Sequence, residues 1–325
     1  MLAGFAKAVT RGPANMLECL RMASAVFLTG ASGFLGSRLL SRLSGSGDKR
    51  IVCLGRRRAA GRPPGNVEFI QGDLLDRDSY ASAMLGCDTV LHLAAATGKQ
   101  TPAEYFRVNR DGTEALALEA RRAGVQRFLH VSTIAVKFRD KSQYYYAQSK
   151  QQAEAIVVQS GLRWTIVRPT IILGRNSPSL EALSRLATLP VVLVFGDGRT
   201  LVQPVFVEDV AACLVAMLES ELLDGRTIEV GGPEVLSLED LLLRIRRARG
   251  AGRAPIIHLP VRPIAACLGW VEPFLRPLLP FTAGQLASYT NAGTITPDTW
   301  MAQWLSRMKS VDEILRAIGN EHGTA

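Results

Sequence analysis

The chain has 325 residues, 47% of them hydrophobic and 21% charged, with five cysteines and a formal charge of +9. That apolar content excludes a disordered chain, and scattered cysteines with no C-x-x-C pair exclude a disulfide scaffold or a zinc ribbon. The charge is uneven: residues 1–174 hold 24 basic and 13 acidic side chains and residues 175–325 hold 14 and 16, so the first half is the one expected to meet an anion.

Residues 1–22 carry Lys7, Arg11 and Arg21 against Glu18 and lack the continuous apolar stretch of a secretory signal, so they read as an extension outside the fold. From Ala25 short β-branched runs alternate with helical stretches. Strands are predicted at Ala25–Leu28, Arg50–Leu54, Val67–Ile70, Thr89–Leu93, Arg127–Val131 and Thr165–Arg168. Helices are predicted at Gly36–Leu43, Ser79–Leu85, Arg107–Ala123 and Tyr145–Gln159. Parallel neighbours need helical crossovers, so this order predicts an α/β fold: a Rossmann-type, doubly wound parallel sheet.

After Pro169 the rhythm changes, to a helix at Pro178–Leu189, a strand at Val191–Phe195, a helix at Val207–Leu218 and a strand at Thr227–Val230. Ser237 opens a further helix, with Glu239 and Asp240 in the first turn where the helix dipole favours them. Residues 23–174 are thus expected to form a nucleotide-binding domain and 175–325 a smaller mixed substrate-binding region, some of whose elements return to the first. The longest apolar stretch, Pro263–Phe281, is broken by Glu272, Arg276 and several prolines and is a poor candidate to span a bilayer.

Three motifs carry the chemistry. Thr29-Gly30-Ala31-Ser32-Gly33-Phe34-Leu35-Gly36 joins the first strand to the first helix. Glycines permit the tight turn and close backbone approach, and the helix N-terminus offers N–H groups to a pyrophosphate. A tight turn also uses glycine for purely structural reasons; the strand-turn-helix setting favours the nucleotide. Second, the stretch ending the second strand, where a carboxylate would hold an NAD ribose, reads Cys53-Leu54-Gly55-Arg56-Arg57-Arg58. It has no acid, and Arg56 and Arg57 can grip a 2′-phosphate, so NADP(H) is preferred with NAD(H) as the alternative. Third, Tyr146 has Lys150 one helical turn on, where an ammonium is expected to lower the pKa of the phenol. Thr133 and Ser132, just past the fifth strand, supply a hydroxyl to orient a substrate oxygen.

With Gly72-Asp73-Leu74, His92-Leu93-Ala94-Ala95, Asn109-Arg110-Asp111-Gly112-Thr113 and Gly231-Gly232-Pro233, these pieces resemble the short-chain dehydrogenase/reductase superfamily, in its extended, epimerase/dehydratase-like branch. The resemblance implies that Thr133, Tyr146 and Lys150 form the catalytic set and that Lys150 also meets the nicotinamide ribose. It further implies that Gly30, Ser32, Gly33, Phe34, Leu35 and Gly36 hold the phosphates, Asp73 and Leu74 the adenine, Ala94 and Ala95 the cleft, and Pro169 and Ile171 the carboxamide.

Two departures bear on the reaction. Thr133 is followed by Ile134-Ala135 in place of the Asp-Glu of sugar-nucleotide dehydratases, and Val136-Lys137-Phe138 replaces the Val-Tyr-Gly of many epimerases. The segment Ala187–Ala211 looks closer to the branch holding a nucleotide-binding accessory subunit of respiratory complex I. The expected activity is therefore NADP(H)-dependent hydride transfer to a carbonyl or from a secondary alcohol. A redox-silent NADPH-binding scaffold or sensor and a sugar-nucleotide epimerase are the alternatives. Phe195, Trp270, Phe274, Leu275, Leu278 and Phe281 suggest an apolar substrate, ordinary core packing being the rival explanation. The expected partner is a small-molecule substrate in a cytoplasmic setting, with a homodimer and a peripheral membrane contact left open, no specific nucleic acid and no metal.

Overall fold

The computed structural model describes residues 25–46, 49–57, 64–261, 263–268 and 282–320. The N-terminal extension, Arg58, and Trp270, Phe274, Leu275, Leu278 and Phe281 lie outside them.

The first half lays down six parallel strands. In chain order the elements are β1 (Ala25–Thr29), α1 (Phe34–Ser46), β2 (Arg50–Gly55), β3 (Val67–Gln71), β4 (Thr89–His92), α2 (Gly112–Arg122), β5 (Arg127–Val131), α3 (Tyr145–Gln159) and β6 (Arg163–Pro169). The second half adds α4 (Pro178–Ala187), α5 (Val207–Glu219), β7 (Arg226–Val230) and α6 (Leu238–Ala248). The sheet order is β7-β6-β5-β4-β1-β2-β3, and every neighbouring pair is parallel. Chain direction across the sheet reverses between β1 and β4. This is the switch point where, in open parallel sheets, ligands enter at the carboxyl ends of the strands.

The strands are apolar along their length because both faces are covered. Val26 and Leu28 point to one face, under Leu39 and Leu43 of α1 and Val210, Leu214 and Met217 of α5. Ala25 and Phe27 point to the other, with Val90 and Phe128, under Leu116 and Ala120 of α2 and Val157 of α3. The period of two along β1 thus sorts its side chains between two helical layers. α5 and β7 belong to this sheet although they come from the second half: α5 packs on α1, and β7 pairs with β6.

The rest of the second half builds a separate core from Leu180 and Leu183 of α4, Val192 and Val194, Leu241 and Ile245 of α6, and Ile314. Its helices are stopped as the sequence indicates. Ser177 precedes Pro178 and accepts a hydrogen bond from the Leu180 N–H, and Ser237 accepts from the Asp240 N–H at 3.0 Å. Two predicted helices differ: Ser79–Leu85 is reduced to a 3-10 turn, Arg77–Ser79, and a single helical turn, Ala81–Met84. The expected helix Arg107–Ala123 is interrupted by a π-helical turn, Phe106–Asp111, before α2 begins.

Candidate active site

The glycine turn is tightly made. Gly30 has φ 78°, and a Cβ there would stand 2.6 Å from the Ala94 nitrogen; one on Gly36 would stand 2.0 Å from the Gly30 carbonyl oxygen. The turn closes through Gly33 N–H donating to the Gly30 oxygen at 3.0 Å, and Ser32 and Gly33 face solvent. Phe34, Leu35 and Gly36 form the first turn of α1, whose N–H groups point outward from the helix start. Arg56 and Arg57 follow β2 and are exposed, and no acid stands in that stretch. Asp73, exposed beyond β3, accepts from the Leu75 N–H at 2.9 Å, and Leu74 packs against Gly112. Ala94 and Ala95 leave β4 half-buried, and Pro169 ends β6, with Ile171 two residues on. The carboxyl ends of parallel strands thus bring the sequence-derived cofactor residues to one edge. These residues fit a dinucleotide: the turn closes on glycines where a Cβ would meet backbone, and Ser132, 4% exposed, carries an Oγ with no partner among the described residues.

Tyr146 lies in the first turn of α3, its ring centroid 5.9 Å from that of Tyr105 and 5.8 Å from that of Tyr144. The Thr133 hydroxyl stands beside the phenol and acts to lower its pKa. Thr133 also caps the short turn Ile134–Lys137, accepting from the Ala135 N–H at 3.2 Å.

The expected effect of Lys150 is not found. Its amine is engaged by β5, where it donates to the Val131 carbonyl at 2.8 Å and lies 3.1 Å from His130 Nε2. Burial, reinforced by Tyr105, pushes the Tyr146 phenol up to about 12; only the Thr133 hydroxyl opposes this. The Lys150 amine, buried in turn, is brought down to about 7, with Glu154 acting against that shift. The i, i+4 spacing puts both residues on one helix face, but the direction of a four-carbon side chain is set by partners on another element.

Asn109, the first residue of the Asn109-Arg110-Asp111-Gly112-Thr113 motif, has a role that its sequence context does not show. It lies in the π-helical turn, accepts from the Ala96 N–H at 2.7 Å, and donates to the Ala96 carbonyl at 3.1 Å and to Ser149 Oγ at 3.0 Å. One side chain therefore ties the loop after β4 to the helix carrying Tyr146. Widened turns of this kind occur often at functional sites.

Lys137 pairs with Glu229 of β7 at 2.8 Å, and Glu229 also accepts from the Thr296 N–H at 2.9 Å, fixing the chain beyond β7 beside the Thr133 turn. Phe195 is buried with its ring 5.2 Å from that of Tyr289. Cys53, Cys87 and Cys213 are buried free thiols raised by burial, and so unreactive. Among the described residues, no group of side chains could hold a metal ion and no helix is long and apolar enough to cross a membrane.

A parallel sheet with a glycine turn at its switch point and a Tyr-x-x-x-Lys helix beside it defines an NAD(P)-dependent enzyme of the extended short-chain dehydrogenase/reductase type. The profile of the NAD dependent epimerase/dehydratase family matches residues 26–231, and the chain belongs to that family. Among relatives, a ceramide reductase of Caulobacter vibrioides is 34% identical over 236 residues, 68% of this chain and 73% of that one. A mitochondrial NADH dehydrogenase [ubiquinone] 1 alpha subcomplex subunit 9 of Arabidopsis thaliana is 28% identical over 301 residues, 87% and 72% of the two chains. A UDP-glucuronic acid 4-epimerase of Bacillus cereus, solved with UDP-glucuronic acid and NAD, superposes with TM-score 0.69 at 21% identity, covering 91% of this chain and 98% of its own. That likeness shows the fold.

Proposed function

We propose that the protein is an NADP(H)-dependent reductase acting on a carbonyl group of a small, lipid-like molecule, with Tyr146 as proton donor and Thr133 as the residue that holds the carbonyl oxygen. The observation that carries this reading is the juxtaposition of the Thr133 hydroxyl and the Tyr146 phenol at the strand edge that also bears the glycine turn. A phenol held at about 12 stays protonated through neutral pH, so it can give a proton to a nascent alkoxide but cannot readily take one from an alcohol. This is the protonation state that donation to a carbonyl oxygen requires. When bound, the nicotinamide supplies the hydride. The chain's own work is to orient the carbonyl through Thr133 and Tyr146, to hold α3 through Asn109 and Ser149, and to receive the cofactor with Gly30, Ser32, Gly33, Phe34, Leu35, Gly36, Asp73, Leu74, Ala94, Ala95, Pro169 and Ile171.

NADP(H) over NAD(H) rests on Arg56 and Arg57 and on the absence of a carboxylate beside them. Charge-assisted hydrogen bonds to a phosphate contribute roughly 1.5–3 kcal/mol each, about tenfold or more in Kd. The apolar substrate rests on the rings of Tyr105 and Tyr144 around Tyr146, with Phe138 stacked on Tyr144, and on the ceramide reductase relative. Residues 23–174 would carry the cofactor and 175–325 most of the substrate side.

Fluorescence titration with NADPH and NADH side by side tests the cofactor assignment. Tighter binding of NADPH, lost in Arg56→Ser/Arg57→Ser with NADH binding unchanged, is expected; a clear preference for NADH would overturn it. A second reading, a redox-silent NADPH-binding protein, is favoured by one observation, the Lys150 amine bound to β5 while the Tyr146 phenol is raised. It predicts tight NADPH binding without turnover on any carbonyl compound.

A further inference from the structure

Beneath the site a polar row crosses three central strands on the face covered by α2 and α3. Thr29 is paired in register with His92, and His92 with His130. Both histidines are wholly buried, with ring centroids 5.1 Å apart.

The hydrogen bonds of His92 leave it one form. The Thr113 hydroxyl gives its proton to the Asn109 carbonyl at 2.6 Å, so toward His92 Nε2, at 2.9 Å, it can only accept. His92 therefore carries its proton on Nε2, and Nδ1 accepts from the Thr29 hydroxyl at 2.7 Å. With both nitrogens committed in this sense, and burial and the Lys150 charge holding its pKa well below the usual range, His92 stays neutral.

His130 differs. Its Nε2 faces the Lys150 amine at 3.1 Å, and its Nδ1 has no partner among the described residues. The Lys150 side chain is 1% exposed, and its remaining described partner is the Val131 carbonyl. An ammonium has protons to donate and no lone pair, so the protonated lysine requires His130 to present an unprotonated Nε2.

We infer that His130 is a positioning residue for Lys150: by accepting one N–H of the amine at Nε2 it fixes where the lysine head stands at the base of the site and makes the lysine the proton-bearing member of this buried basic trio. The titratable and charged groups around the amine are few: His130 from β5, His92 behind it from β4, and Tyr146 and Glu154 one turn away on α3. Arg168 of β6 holds Glu154 at 2.9 and 2.6 Å. The inference deepens the proposed site by adding a residue under Lys150, and its test uses the protein without cofactor or substrate. Failure of the enzyme reading would therefore leave the test standing.

The chain has seven lysines, so the Lys150 Cε–Hε signal can be identified by its loss in Lys150→Met and followed against pH in lysine-labelled protein. The hydrogen bond to His130 is stronger for the ammonium than for the neutral amine, so removing it disfavours the charged form. His130→Leu is expected to lower the Lys150 midpoint by about one pH unit, a tenfold change in proton affinity, and His130→Gln, whose amide oxygen can accept, to restore part of it. A midpoint unmoved or raised in His130→Leu overturns the inference. Should the variants fail to fold, the long-range proton–nitrogen spectrum of the wild-type imidazoles decides it. Below the Lys150 midpoint, His130 is expected with its proton on Nδ1 and His92 with its proton on Nε2. A proton on His130 Nε2 under those conditions overturns the inference equally.

Discussion

Two glycines of the turn after β1 separate its structural work from the phosphate binding proposed for it. A methyl at Gly36 would stand 2.0 Å from the Gly30 oxygen, 2.8 Å from the Gly30 carbonyl carbon and 3.0 Å from Ala31 Cα. All three are backbone atoms, so turn and helix must move apart. Overpacking of this kind costs about 1–3 kcal/mol or more. Alanine over glycine within a helix returns at most about 1 kcal/mol. Gly36→Ala is therefore expected to lose about 1–2 kcal/mol of stability. A methyl at Gly33 meets only the Gly30 oxygen, at 3.2 Å, at a position facing solvent with ordinary φ. Gly33→Ala should change stability by no more than about 0.5 kcal/mol. Its methyl nevertheless occupies the side from which a pyrophosphate would approach, and losing about 1.4 kcal/mol of contact weakens binding tenfold. Urea unfolding and NADPH fluorescence titration of both variants read these quantities. Unchanged NADPH affinity in Gly33→Ala would refute the reasoning, because the turn would then be tight for reasons of packing alone.

Two further outcomes follow from buried charge. Arg168→Met leaves Glu154, whose side chain is 7% exposed, without its bidentate partner, and should cost about 3 kcal/mol in urea unfolding; Glu154→Leu/Arg168→Met should lose distinctly less. Lys150 sits at about 7 in the folded chain against ~10.4 unfolded, so between these values the unfolded chain binds a proton that the folded chain does not. Stability relative to Lys150→Met should accordingly rise with pH from about 7 to about 10; a difference between the two proteins that is flat over that range would contradict the burial of the amine.

Much of the scaffold was legible in the sequence, because strands buried on both faces are written as unbroken apolar runs. Arg127–Val131 and the helix Tyr145–Gln159 have the observed ends, and Ser237 caps its helix as its neighbours Glu239 and Asp240 indicate. The two-residue strands Ile172–Leu173 and Leu201–Val202 were not legible, since two residues carry no periodicity and their pairing is set by tertiary contacts. The π-helical turn at Phe106–Asp111 was hidden for a related reason: an amphipathic stretch reads as α-helix, and the extra residue is accommodated through the bonds of Asn109 to Ala96 and Ser149. Within the site, residue types and the order of motifs pointed to Thr133 and Tyr146, which the fold brings into contact. The direction of Lys150 was beyond the sequence, because it depends on His130 and Val131, placed beside it by the packing of α3 on β5. His92 and His130, met singly in apolar strands, give no sign that the register places them side by side.

The central claim is that Tyr146 donates a proton during NADPH-dependent carbonyl reduction. Its most direct test is NADPH consumption by wild type and Tyr146→Phe over a panel of long-chain ketones and keto-amides, with NADPH affinity measured on both. The account predicts turnover by the wild type on at least one compound, a fall in kcat of about 10²-fold or more in the variant, and unchanged NADPH binding. Tight NADPH binding by both proteins with equally negligible turnover across the panel would contradict it and establish the chain as a binding protein.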